Sequence, residues 1–272
     1  MFKKIALVVT IALFVGLSTH LFAEGVRPLS MGGAFVAVAD DVHSIYWNPA
    51  GLPRVHEPEL TLAHWINLRD KFNPADLVAL VFPAEYGALG IGYTLNEAPE
   101  TSHHINVAYG IPIPGTPDNT KFSAGINATA ISDPDNNYVT LDLGILWEIW
   151  PQFTFGLVGQ NSFISKGGTD KVFYNLQPGI AFKPIEGTTL ALDVNDATDQ
   201  SPDGANLRFG IETHVWKIAF RAGGYNIYNE NGAATAGIGY ETRNFKIDYG
   251  LIYWVNSEEI QHMAAVRFKF PF

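Results

Sequence analysis

Cysteine is absent from all 272 residues, which excludes disulfide staples, thiolate metal sites and cysteine nucleophiles. Charge is scarce: Asp, Glu, Lys and Arg make up 16% of the chain, below the roughly 25–35% that suits a water-facing surface. Basic residues are the scarcer kind, 17 against 27 acidic. A net charge of −10 argues against a nucleic-acid partner. Long apolar runs are missing beyond residue 23, where each is broken by a charge, Gly or Pro within about ten residues, so no helix there can span a bilayer.

What is present begins with a leader. Met1 to Ala23 carries Lys3 and Lys4, an apolar run from Ile5 to Leu17 and a short polar stretch ending in "LFA". This is the layout of a secretory signal peptide, with cleavage expected after Ala23. The apolar run is shorter than the roughly 20 residues of a membrane helix. Losing Lys3 and Lys4 takes the net charge to −12.

From residue 59 onward the pattern has a period of two. In "FKIDYGLIYW", Phe245, Ile247, Tyr249, Leu251 and Tyr253 share one face of an extended chain, and Lys246, Asp248 and Gly250 the other. Leu207, Phe209 and Ile211 alternate likewise with Arg208, Gly210 and Glu212, and Val139, Leu141, Leu143, Ile145 and Trp147 with Thr140, Asp142 and Gly144. About fourteen such segments are expected, near 59–68, 76–83, 87–95, 102–111, 119–131, 137–149, 151–161, 174–184, 187–196, 204–213, 215–224, 231–241, 243–254 and 259–272, with twelve as the alternative count.

A soluble sandwich would turn the apolar face inward and wet the other with charge. Here the second face is mostly Gly, Ala, Thr and Asn. A membrane barrel reverses the arrangement: apolar residues meet lipid, small and polar residues line the lumen, and aromatics gather at the two interfaces. Trp147, Trp150, Trp216, Tyr253 and Trp254 fall at segment ends and suit such girdles. The chain finishes on "AAVRFKFPF", with Val266, Phe268, Phe270 and Phe272 on one face. As a free edge that strand would aggregate; in a barrel it pairs with the first strand. The expected fold is an all-β, antiparallel transmembrane barrel in an outer membrane of the Gram-negative type, contacting its lipid. The aromatic terminus resembles the signal read by the barrel assembly machinery.

Residues 24–58 lack the wall's alternation yet are too apolar for a free tail, with Phe35, Val36, Val38, Ile45, Tyr46 and Trp47. The available place for them is inside the barrel. Gly32 and Gly33 permit a tight turn, Asp40 and Asp41 suit a helix start or an Asx turn, and in "NPAG" Asn48 caps a turn that Pro49 begins and Gly51 ends.

This block resembles the N-terminal hatch of the FadL-type long-chain fatty-acid transport family and its PorV-like relatives. The shared pattern is a Gly-rich start (Met31 to Ala34, with Gly32, Gly33 and Ala34), an Ala-Asp-Asp step (Ala39 to Asp41) and an Asn-Pro-Ala turn (Asn48, Pro49, Ala50). The resemblance implies a lumen plugged by the chain's own N-terminus. It also implies passage of a fatty acid or other small hydrophobic molecule, leaving through a gap near a kinked strand. In the PorV-like branch the barrel is instead an accessory of a protein-secretion apparatus. Members of the transport branch have longer external loops than those inferred here. Gly87, Gly90 and Gly92 in "GALGIGY" mark either the family's lateral gate or a wall kept small to fit the plug.

Alternation also sets Arg208, Lys217, Arg221, Lys246, Arg267 and Lys269 on the lumen side, with Glu212 and Asp248. This basic strip would hold a fatty-acid carboxylate or neutralise Asp40 and Asp41. Catalytic and metal readings are weak. His103 and His104 are adjacent and point apart on a strand, "DPDNNYVTLD" from Asp133 lacks the Gly and Glu of a calcium loop, and no Gly-x-Ser-x-Gly motif occurs. No cofactor is expected.

Overall fold

The computed structural model describes residues 25–67, 76–96, 101–115, 121–134, 137–165, 174–200, 204–226 and 232–271. The leader and Phe272 lie outside them. Fourteen strands close into one antiparallel ring: β1 (Glu59–Asn67), β2 (Asp76–Ala84), β3 (Gly87–Asn96), β4 (Ser102–Ile113), β5 (Lys121–Ser132), β6 (Asn137–Trp150), β7 (Phe153–Ile164), β8 (Asn175–Phe182), β9 (Thr188–Asn195), β10 (Asn206–Val215), β11 (Ile218–Tyr225), β12 (Ala233–Glu241), β13 (Phe245–Trp254) and β14 (Ile260–Lys269). Each expected segment is one strand, which settles the count at fourteen. β14 pairs with β1 from Glu59↔Lys269 to Asn67↔Gln261, so the ring has no edge.

The alternation has the membrane sense. Ile105, Val107, Leu143, Leu190, Leu192, Phe209, Ile211 and Ile247 are exposed on the outer wall, while Thr140, Asp142, Glu212, Lys246 and Asp248 are buried on the inner one. Water would not tolerate such an outer face, and lipid does. Tight turns at 85–86, 151–152 and 216–217 join strands at one end, and longer connections at 165–174 and 196–205 at the other. In outer-membrane barrels the short turns face the periplasm and the long loops the outside.

Trp147, Trp150 and Trp216 are exposed at the turn end and Tyr253 at the loop end. Trp254 departs from the girdle expectation. It shares the inward parity of Lys246 and packs its ring edge against Tyr225, 5.5 Å between centroids. Val266 and Phe268 stay on the outer face of β14, whereas Phe270 lies past its end, bonded through its backbone N–H to Pro58 O at 3.0 Å.

Residues 25–58 run inside the ring as two short helices, α1 (Val26–Ser30) and α2 (Ser44–Trp47), and a 3-10 helix, η1 (Pro49–Arg54). α1 lies against β11–β14, α2 against β3 and β4, and η1 against β2–β6. Phe35, Val36, Val42, Ile45, Trp47 and Leu52 are buried there. Asn48 Oδ1 accepts the Ala50 N–H at 3.1 Å and caps η1, but Gly51 does not end the turn. The helix continues to Arg54, and Gly51 instead lets Ala39 pack against the backbone.

Candidate functional site

The N-terminal segment is seated by removing side chains from the wall opposite it. A Cβ on Gly125 would strike Pro49 and Ala50, on Gly156 Val36 and Ala37, and on Gly210 or Gly223 Met31. The segment answers with Gly32 and Gly33, both at left-handed φ of +64° and +69°. Gly32 donates its N–H to Thr235 Oγ1 at 2.9 Å, and no other residue fits so near the β10 and β11 backbone.

Ala34 is fully buried in the turn behind them. Gly90 and Gly92 clear space for Ile45 and Tyr46 rather than kinking β3. β3 pairs without interruption with β2 from Gly87 and with β4 from Ala88, through Gly90 and Gly92, so it shows no gap at these two glycines. The irregular seams lie elsewhere. On β7, Gln160, Asn161 and Ser162 bulge opposite Asp142, whose Oδ1 accepts the Asn161 N–H at 2.8 Å. The β8–β9 ladder is only Gly179–Phe182 against Asp193–Leu190.

The segment is also tied by charge. Arg27 donates from Nε and Nη2 to Glu212 on β10, at 2.9 and 2.6 Å. Its Nη1 donates to Asp40 at 2.5 Å and Asp41 at 2.7 Å. Arg221 bonds Glu212 at 2.6 Å and Asp248 at 2.7 Å. Arg267 reaches Asp41 at 2.6 Å and Glu59 at 3.3 Å, and Glu59 accepts the Val42 N–H. Glu241 takes Lys269 at 2.6 Å and Lys246 at 3.5 Å. Arg221, Lys246, Arg267 and Lys269 of the expected strip are thus each held by a carboxylate. Lys217 does not belong to it: it sits exposed in the 216–217 turn, where alternation stops.

Asp193 on β9 adds a different tie, its Oδ2 accepting the Phe35 and Val36 N–H groups at 2.7 and 2.8 Å. Asn48 Nδ2 donates to Ile145 O of β6 at 3.0 Å and to Val36 O at 2.9 Å. Neither Arg27 nor Asp193 stands out in the sequence, although Asp193 has the inward parity of "LALDVN". Arg27 has no such signal, because its wall partner lies 185 residues away.

Burial alone would raise the Asp41 carboxyl, but His43, Arg267 and Arg27 outweigh it and hold it well below the usual carboxylate range. Burial would likewise lower Arg27, and Asp40, Glu212 and Asp41 reverse that. A depressed carboxylate contributes stability that is complete above its unfolded pKa of about 4 and is lost as pH falls through the folded value. Heat-modified gel mobility of the purified barrel should therefore appear at a lower temperature as the buffer is taken below pH ~4. Asp41→Asn should be the less stable protein at neutral pH and should converge on the wild type in acid. Parallel curves across the whole range would contradict this.

Facing the loop end, the lumen is two-sided. One arc carries Trp65, Leu77, Ile252, Met263 and Trp254. The other is amide-rich: Asn106 donates to Thr129 at 2.7 Å, Asn127 to Asp142 at 2.9 Å and Gln177 to Gln160 at 2.6 Å. His103 turns outward to Tyr93 and His104 inward to Ser102, so the pair does not converge.

An edgeless ring with an apolar outside and a polar inside defines an outer-membrane β-barrel. No known family profile matches the chain, and no curated protein matches it either. Solved structures do. The toluene transporter TbuX of Ralstonia pickettii superposes at a TM-score of 0.67 with 14% identity, over 94% of this chain and 100% of that one. The Pseudomonas putida toluene transporter TodX gives 0.61 and 12%, over 94% and 99%. The Acinetobacter baumannii outer membrane protein Omp33 gives 0.56 and 11%, over 79% and 98%. At these identities the likeness is one of fold.

Proposed function

We propose that this barrel carries small hydrophobic molecules, such as long-chain fatty acids or monoaromatic hydrocarbons, across the outer membrane. Residues 25–58 act as a hatch that must shift for cargo to pass. The observation that carries this reading is the mode of seating: the segment crosses the lumen on bare glycine backbone and a lattice of ion pairs, contacts that can be broken and remade without unzipping the wall. The shared fold with two toluene transporters supports a hydrophobic cargo. A second reading, an accessory barrel of a secretion or envelope complex, is favoured by the same lattice taken as permanent. Four cations of its basic strip, Arg221, Lys246, Arg267 and Lys269, are held by carboxylates, which suits a fixed plug.

Uptake separates the two. In cells lacking their own transporter for such compounds, expression of the chain should raise the initial rate of labelled oleate or toluene entry severalfold. Rates equal to those of empty cells would sink the transport reading and leave the accessory one.

A further inference from the structure

One inward cation stands apart from the lattice. Arg208, the second inward residue from the loop end of β10, is only partly buried and makes no hydrogen bond or ion pair with the described residues. Its guanidinium lies over the Trp47 indole, 5.5 Å from the ring centroid. Gly33 leaves the room: a Cβ there would sit 3.0 Å from the Trp47 ring and 3.3 Å from Arg208 Cδ. The cation is thereby stacked and preorganised, yet its donor fork remains unspent.

Its surroundings are specific. Across the ladder on the same face stand Tyr225 on one side and Asp193 on the other. Asp193 is near enough to feel the Arg208 charge but forms no ion pair or hydrogen bond with it: its Oδ2 holds the Phe35 and Val36 N–H groups and its Oδ1 turns against Gly179 of β8. Tyr225 meets Trp254 edge-on, and the buried Trp254 Nε1 has no hydrogen-bond partner. Toward the loop end, the paired Asn195 and Asn206 complete the rim.

We propose that Arg208, stacked on Trp47, anchors the carboxylate of an organic monoanion. The compact aromatic or short alkyl body of that anion lies against Tyr225 and Trp254. A guanidinium fork matches a carboxylate with two parallel hydrogen bonds, and a neutral hydrocarbon would leave it unused. A dianion such as a phosphate monoester would set its second charge against Asp193. The site thus selects among the cargo of the transport reading, on which it rests for its role in passage.

The test uses the full-length protein in detergent, with phenylacetate as the anion and ethylbenzene as its neutral counterpart, followed by tryptophan fluorescence or calorimetry. Arg208→Met should weaken phenylacetate binding by about tenfold or more, the scale of lost charge-assisted hydrogen bonds, and leave ethylbenzene unchanged. Arg208→Lys should fall between them, and unaltered heat-modifiability should confirm that both variants fold. Equal phenylacetate binding in wild type and Arg208→Met, or none in wild type, would overturn the site. If Arg208-dependent binding occurs but expressing cells take up neither compound, the transport reading fails and the site stands. If ethylbenzene enters and phenylacetate does not bind, the site fails and transport stands.

Discussion

Arg27→Met is expected to be the most damaging single change in the molecule. Arg27 joins Asp40 and Asp41 of the N-terminal segment to Glu212 of the wall, and its removal takes one cationic partner from each of the three, leaving Glu212 with Arg221 and Asp41 with Arg267. A wholly uncompensated buried charge costs about 3–5 kcal/mol; here each buried carboxylate keeps one partner, so each loses less, but three of them share the loss. Limited proteolysis should cut within residues 25–58 of the variant under conditions that spare the wild type, and the melting temperature should fall. Adding Glu212→Gln should recover part of the loss, since it removes one of the under-compensated charges, although Arg221 then keeps only Asp248. A variant as protease-resistant as the wild type would show that the charge lattice does not seat the segment.

Gly125→Val is the second. The atoms a Cβ would strike are the Pro49 carbonyl and the Ala50 nitrogen, main chain of η1 that has no rotamer to yield. Overpacking of this kind costs about 1–3 kcal/mol or more, and the segment must bear it, because the β4–β5–β6 register does not involve that space. Strand content by circular dichroism should be unchanged while the segment becomes protease-sensitive. Gly90→Ala is the milder comparison, since the obstacle there is the Ile45 side chain rather than main chain and the added group is a single methyl. Equal effects from the two substitutions would contradict the close backbone approach.

These two changes also show why some parts of the molecule were legible in sequence and others were not. The wall was readable because a strand has two faces and lipid accepts only one kind of residue: the parity of Phe245, Ile247 and Tyr249 fixes that of Lys246 and Asp248 without any knowledge of neighbours. The same parity, continued to the end of β13, turns Trp254 inward, against its reading as an interfacial aromatic. Parity fails at turns. Lys217 follows Trp216, whose φ of 57° breaks the extended chain, so the count cannot be carried from β10 into β11.

Inside the ring, sequence marks which residues are small or charged but not which of them meet. The glycines of β3 are equally consistent with a kink or with room for a neighbour, and only the positions of Ile45 and Tyr46 favour the second. The basic strip similarly left open a bound carboxylate or internal pairing. Distances divide it: Arg221, Lys246, Arg267 and Lys269 are paired with acids, while Arg208 is not. Arg27, which ties the segment to the wall, is an unremarked cation in "VRPLS" until Glu212 is brought beside it.

The central claim is that cargo passes only when residues 25–58 shift, and the absence of cysteine makes it directly testable. Thr235 of β12 donates to the Ser30 carbonyl of α1 at 3.1 Å and accepts the Gly32 N–H, so Ser30→Cys with Thr235→Cys puts two thiols on adjoining residues of segment and wall without adding a Cβ to a packed glycine. The measurement is the initial rate of labelled oleate or toluene uptake by cells carrying this double variant, oxidised and then reduced. The account predicts uptake that stops when the disulfide forms and returns on reduction, with each single-cysteine variant indifferent to both treatments. Undiminished uptake by the fully cross-linked barrel would contradict it, because cargo would then be passing with the segment fixed in place.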